Sequence, residues 1–329
     1  MMYLKKTFIG ILILISFLQA YSQHAFQFVV LGSGGGVDES NLSSYLIAPA
    51  GSENFVALDA GSLMSGLKLL AGNDYDSETN IHSPDAFLLK SRIKAYVISH
   101  AHFDHIAGLI QASPFDTQKA IYCTEQTRNK LVKYVFNDGI WANFTDYGEN
   151  QIGKYNFVIT PEKQWVSLSE PKLELKAFHL SHLGSGISTA FLIRNESDYI
   201  IYFGDTGADS VENSNSLASV WNEISPLIRL NQLRALVIEC SFNNSVPDNL
   251  LFGHLNPKYL GRELKNLASL INSDNQNNAL QGLKVIITHI KPGFLKNVND
   301  QEIILNQLKE FSYLGAEFII AEQAKKYLF

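Results

Sequence analysis

AYVISHAHFDHIAGLIQASP, residues 95–114, places His100, His102, Asp104 and His105 directly behind the apolar run Tyr96-Val97-Ile98. Neither the helical period of 3.6 nor the strand period of 2 brings these four positions onto one face. A loop leaving the end of a strand is the element that suits them. Such a loop aims neighbouring side chains in different directions, which fits a pair of metal ions ~3.5–4 Å apart that share one ligand set. Imidazole nitrogen and carboxylate oxygen together suit borderline cations such as zinc. An ordinary solvated loop would not concentrate so many ligand-type side chains behind a strand.

The same arrangement recurs outward from this stretch. Apolar runs of strand character occur at 24–31, 44–48, 54–59, 120–123, 173–178, 189–193, 199–203, 233–238, 284–288 and 318–320. Helical patterns occupy 62–70, 106–111, 125–135, 257–270 and 301–314. Asn256 before Pro257 reads as a helix cap, while Asp300 caps the last helix and Gly315 stops it. Strand after strand ends in a ligand-type residue: Asp59, His100, His182 just beyond Phe178, Asp205, Glu239 and His289. Layered α/β proteins gather their sites in loops at one edge of the sheets. Asp205, delivered by the turn at Gly204, is placed to bridge two cations. Asp59 is a turn or cap residue, or else a group that orients a metal ligand from behind. The glycine loop 32–36 lacks a helix opening at once, so it reads as a tight turn near a ligand rather than a dinucleotide fingerprint.

Composition bounds the remaining possibilities. Of 329 residues, 46% are hydrophobic and 18% charged, which supports a large core and excludes a disordered chain. Residues 1–22 have a basic start at Lys5 and Lys6, an apolar run from Phe8 to Leu18, and a small-x-small end at Ala20-Tyr21-Ser22. They read as a cleaved signal peptide, with export to the periplasm or outside and no stable membrane anchor afterwards. Residues 23–329 then form a single catalytic domain, with an insertion around 136–165 able to wall a pocket. The net charge of −6 gives no help in binding nucleic-acid backbones. Cys123 and Cys240 are expected to be buried free thiols.

His100-x-His102-x-Asp104-His105, followed in order by His182, Asp205 and His289, resembles the metallo-β-lactamase superfamily. That resemblance implies an α/β fold, a four-layered αββα sandwich with a dinuclear site at one sheet edge. HAHFDHIAGLIQASP, SHLGSGISTAFLI, YFGDTG, IECSF and GHLNPKYLGREL are similar to the class II cyclic-nucleotide phosphodiesterases, from about Phe26 to Phe329. Phe103 stands where the family usually has Leu, and Gln111 where it usually has an aliphatic residue. The resemblance implies that His100, His102 and His182 hold one metal, that Asp104, His105 and His289 hold the other, and that Asp205 bridges them. Asp104 thereby belongs to the catalytic set as well. His179 competes with His182, whose Ser-His-x-Gly context is the better match.

Two divalent cations sharing a water lower its pKa toward neutrality, so that hydroxide can attack a phosphodiester whose oxygens the metals neutralise. In cyclic AMP or cyclic GMP the ribose 3′-oxygen leaves and the 5′-monophosphate remains. That alkoxide is a poor leaving group, which calls for an acid; His254 is the candidate, with Glu239 to orient or charge it. Ser185, Ser188, Thr189 and Asn41 are further candidates for contact with base or phosphate. The metals are expected to be zinc, with manganese or iron open, and the partner a small cyclic nucleotide; a dimer is open. Rival readings are another hydrolase of the fold (a β-lactamase, a lactonase or a tRNA-processing-type nuclease) and a non-catalytic metal-binding protein. A carboxylate rather than a thiolate at position 205, together with GHLNP, favours phosphodiesters.

Overall fold

The computed structural model of the protein describes residues 24–74 and 83–329, so the signal peptide expected over 1–22 lies outside the described residues. Strands β1 (Phe26–Gly32), β2 (Ser44–Pro49), β3 (Phe55–Leu58), β4 (Ile93–Val97), β5 (Lys119–Cys123) and β6 (Tyr155–Ile159) belong to one sheet. Strands β7 (Trp165–Ser167), β8 (Glu174–Ser181), β9 (Ser185–Asn195), β10 (Asp198–Phe203), β11 (Leu233–Glu239), β12 (Lys284–Thr288) and β13 (Glu317–Ile320) form the second. A last strand, β14 (Lys326–Leu328), returns to pair with β1. The orders are β14-β1-β2-β3-β4-β5-β6 and β13-β12-β11-β10-β9-β8-β7. Each sheet is antiparallel in its first part and parallel in its second, from β3 to β6 and from β10 to β13. Apart from β14, each half of the chain supplies one sheet.

Both faces of both sheets are buried, which is why their strands read as nearly continuous apolar runs. Side chains alternate between the two faces. Phe28, Tyr45, Val97, Phe191, Tyr202, Val237 and Ile286 fill the space between the sheets. On the outside of the first sheet, α1 (Leu63–Asp74), α2 (Phe103–Ala112) and α3 (Glu125–Tyr134) pack through Leu67, Ile106, Leu109 and Leu131. On the outside of the second, α4 (Ser216–Arg229), α5 (Pro257–Ile271) and α6 (Asp300–Leu308) pack through Trp221, Leu260, Leu264 and Ile304. The result is four layers, αββα. Cys123 and Cys240 are free and buried in opposite outer layers, beyond reach of each other.

Several elements differ from the sequence expectation. α2 begins at Phe103, three residues earlier than the apolar spacing indicates, with His102 at its N-cap; half of the metal motif is therefore helical. α6 is capped by Asn299, whose side chain accepts from Glu302 N at 3.3 Å, and not by Asp300. Asp300 instead accepts from Gly293 N at 2.8 Å and Asn243 Nδ2 at 3.0 Å, tying down the segment after His289. The chain then tightens into a 3-10 turn over Lys309–Leu314 before Gly315, whose φ of +89° ends it. Residues 136–165 have a structural role of their own: they contribute β6 at the sheet edge, and Trp141 Nε1 donates to Ser113 Oγ at 2.9 Å. α4 is a helix absent from the sequence expectation, and Leu217, Val220, Trp221 and Ile224 form its buried stripe.

Candidate metal centre

The ligand-type side chains converge because their strands end together. β4 ends at Val97 and hands Ser99 and His100 to a loop; α2 then starts at once and carries Asp104 and His105 in its first turn. The helix N-terminus favours the charge of Asp104, and Gly36 N donates to its Oδ2 at 3.0 Å. β8 delivers His182, β10 delivers Asp205 through Gly204, β11 ends in Glu239, and β12 delivers His289. Glycine is needed where these segments touch. A Cβ on Gly204 would stand 2.5 Å from Ser188 Oγ and 2.6 Å from Ser99 Cβ, and one on Gly35 would stand 2.3 Å from the His289 ring. Neither is a space that a side chain can enter.

Asp205 lies at the middle. Its Oδ1 is 3.1 Å from His105 Nε2, and its Oδ2 is 3.3 Å from His289 Nε2, 3.7 Å from His100 Nε2 and 3.8 Å from His182 Nε2. His289 Nε2 is also 3.2 Å from Asp104 Oδ2, and His182 Nε2 is 3.2 Å from His102 Nδ1. Donor atoms of His100, His102, His182 and Asp205 all fall within 4.8 Å of one another, and so do those of Asp104, His105 and His289. The fit to cations is supported by two orphaned atoms. His100 Nε2 and His105 Nε2 are buried and have no hydrogen-bond partner among the described residues, although both face the carboxylate of Asp205. Buried polar atoms are rarely left so, and a divalent cation between these donors would satisfy them.

Each inward-facing nitrogen is set by what holds the other side of its ring, the usual device around metal-binding imidazoles. His105 Nδ1 meets Asp59 Oδ2 at 2.7 Å, His182 Nδ1 meets the Gly253 carbonyl at 2.7 Å, His289 Nδ1 meets Ser241 Oγ at 2.8 Å, and His100 Nδ1 meets Ser99 Oγ at 3.0 Å. Asp59 is wholly buried, with φ of +51°, a conformation that Asp tolerates better than most residues. It accepts from Ser99 N at 2.7 Å, Ser99 Oγ at 2.6 Å and Tyr202 OH at 2.5 Å. An Asp59→Asn variant would turn amide hydrogens toward donors. It is expected to lose about 1–3 kcal/mol of stability and to hold metal roughly 10–100-fold more weakly, as read by thermal melting and chelator competition.

His254, like His105, has a carboxylate on its Nδ1 side. Its Nδ1 lies 2.8 Å from Glu239 Oε1, and Glu239 in turn accepts from Thr206 N at 2.8 Å, Ser241 Oγ at 2.6 Å and Leu255 N at 3.2 Å. Burial alone would push His254 down, but the Glu239 and Asp205 carboxylates more than reverse it and raise its pKa. Burial dominates at His100, at His102, which is lowered to about 4, and at His182, leaving these imidazoles neutral with lone pairs to give. Burial also opposes charge on Asp104 and Asp205, yet the facing imidazoles of His289 and His105 hold both carboxyls well below the usual range.

The other sequence candidates separate clearly. His179 sits 3.5 Å from Glu162 with a side chain 42% exposed, and it joins none of the cation-holding groups. Asn41 spends its carbonyl on Ser33 N at 2.9 Å, which braces the glycine loop. Thr189 is buried in β9, Ser188 Oγ is buried without a partner among the described residues, and the side chain of Ser185 lies outside them. Sequence reasoning did not find Ser99, Tyr202, Ser241 or the Gly253 carbonyl. Ser99 and Ser241 stand beside ligand-type residues, which was the available signal; Tyr202 and Gly253 gave none.

A family model described as cAMP phosphodiesterases class-II matches residues 26–324. The 3′,5′-cyclic-nucleotide phosphodiesterase of Aliivibrio fischeri is 41% identical over 309 residues, covering 91% of each chain. The protein of that name from Schizosaccharomyces pombe is 32% identical over 335 residues, covering 93% of this chain and 94% of its own. Among solved structures, unliganded yeast PDE1 matches with a TM-score of 0.79 at 26% identity, over 93% of this chain and 100% of that one. The metallo-β-lactamase fold protein YhfI of Bacillus subtilis matches over 92% of this chain and 99% of its own, with a TM-score of 0.58 at 18% identity; it speaks for the fold alone.

Proposed function

The chain belongs to the class-II cAMP phosphodiesterases, and we propose that it opens the ring phosphate of 3′,5′-cyclic AMP and cyclic GMP at the cluster around Asp205, leaving the nucleoside 5′-monophosphate. The observation that carries this assignment to the cluster is the pair of orphaned buried nitrogens, His100 Nε2 and His105 Nε2, facing one carboxylate from two sides. His100, His102 and His182 would hold one cation, Asp104, His105 and His289 the other, with Asp205 shared. Two divalent ions there, zinc or else manganese or iron, supply positive charge for the phosphate oxygens and bring the pKa of water close to neutrality.

The chain's own residues do the rest. Asp59, Ser99, Ser241 and Gly253 hold the ligand rings in one orientation, so that no reorganisation is needed when charge develops. Glu239 fixes His254 through Nδ1, so Nε2 is the atom left to give a proton to the departing ribose 3′-oxygen. Glu239 cannot swing away, because two backbone N–H groups and Ser241 also hold it.

The test is a substrate panel. Metal-loaded protein offered cyclic AMP, cyclic GMP, a linear phosphodiester and a chromogenic β-lactam should consume the cyclic nucleotides; turnover of the β-lactam alone would sink the assignment. Export belongs to the same proposal, on the strength of residues 1–22. Protein recovered from the periplasm or culture fluid should begin at Gln23, and an intact Met1 start there would remove the cleavage.

A further inference from the structure

Leu183, Phe252 and Phe294 have φ values of +54°, +49° and +54°, a left-handed backbone that bulky apolar side chains rarely adopt. The other non-glycine residues with positive φ among those described are Asp, Asn, Lys, Glu, one Ala and His289 itself. These three apolar side chains are also 60%, 57% and 77% exposed, so burial does not repay the strain. Two of them stand beside an imidazole of the centre, Leu183 following His182 and Phe252 preceding Gly253-His254, while Phe294 lies further along the segment after His289. Phe103 is 70% exposed between His102 and Asp104.

The segments that carry Leu183 and Phe252 adjoin. His182 Nδ1 meets the Gly253 carbonyl at 2.7 Å, and a Cβ on Gly253 would lie 2.5 Å from Leu183 N, so the turns bearing Leu183 and Phe252 are in contact. The imidazoles form a continuous row, with ring centres 5.0 Å apart from His102 to His182, 4.7 Å from His182 to His254 and 5.2 Å from His254 to His289. Strain held at a ligand site is a known way to present a group to that ligand. The part of a cyclic nucleotide that wants an apolar surface is its flat base.

We infer that Leu183, Phe252 and Phe103 form the apolar platform on which the nucleobase of the substrate packs while its cyclic phosphate lies at the cluster. The inference rests on the phosphodiesterase reading above. Stacking reads the face of a base and not its edge, so the platform accepts adenine and guanine alike.

The experiment compares the metal-loaded parent with Phe252→Gly, a Phe103→Ala/Phe252→Gly double variant and Phe252→Trp. The substrates are cyclic AMP, cyclic GMP and a ribose 3′,5′-cyclic phosphate that lacks a base. The glycine and double variants should raise KM for both cyclic nucleotides by about tenfold or more, leave kcat within about twofold, and treat the base-free substrate as the parent does; Phe252→Trp should restore the parental KM. Unchanged KM for the cyclic nucleotides, or an equal loss on the base-free substrate, would overturn the platform. So would a changed molar mass in solution with unchanged KM, which would make the rim a self-association surface. A parent that turns over none of the three substrates would instead remove the phosphodiesterase reading itself.

Discussion

Replacing Asp205 with alanine is expected to strip at least one divalent cation from each chain and to lower turnover by roughly 10³-fold or more. The expectation follows from position. Asp205 is 2% exposed, and its two oxygens lie 3.1–3.8 Å from Nε2 of His105, His289, His100 and His182. Its carboxylate faces nitrogens of both groups of donors, His100 and His182 on one side and His105 and His289 on the other. Without it, His100, His102 and His182 would present three neutral nitrogens and no negative charge to their cation, while Asp104 alone would balance the other. Elemental analysis of the purified variant decides the matter. Two ions retained per chain would end the bridging role, whatever the rate.

His254→Ala should behave differently: turnover falls by about 10² or more, as for loss of a positioned general acid, with the metal content unchanged. The comparison is informative because His254 also lies within cation-holding distance of Asp205 and His289. Its Nδ1 pairs with the Glu239 carboxylate and its pKa is raised, but His105 is held by Asp59 and raised in the same way, so metal content and rate together tell acid from ligand. If it is the acid, the variant keeps both ions and recovers rate with a substrate whose leaving group needs no proton, such as a nitrophenyl ester. If it is a ligand, metal is lost and the activated substrate is no better. A parental rate with full metal would remove His254 from the mechanism.

Much of this molecule was legible in its sequence because both sheets are buried on both faces. Runs such as Tyr199 to Phe203 admit almost nothing but strand, and the ligand-type residue at the end of each then marks one edge. The helical part of the motif was less visible. His102 caps α2 without a hydrogen bond from its side chain, so no Ser, Thr, Asp or Asn signalled the start at Phe103. α4 was hidden by Pro226 inside it and by the polar residues that alternate with its stripe. The supports of the site were mostly beyond reach for another reason. Asp59 meets Ser99, His105 and Tyr202, which lie 40, 46 and 143 positions away, and no local pattern records such a meeting. His182 and His179 lie on or just past one strand an odd number of residues apart, so they face opposite ways; motif context chose His182, the one that faces Asp205.

A cluster that uses divalent cations to open a 3′,5′-cyclic phosphate at the 3′-oxygen must lose its activity with its metal and release the 5′-monophosphate. Cyclic AMP is therefore to be followed with the purified protein before chelation, after chelation, and after return of zinc or manganese, with the product identified by phosphorus NMR. The expected result is 5′-AMP as the sole product, loss of turnover on chelation and recovery with metal. Formation of 3′-AMP, or turnover untouched by complete removal of metal, would contradict it.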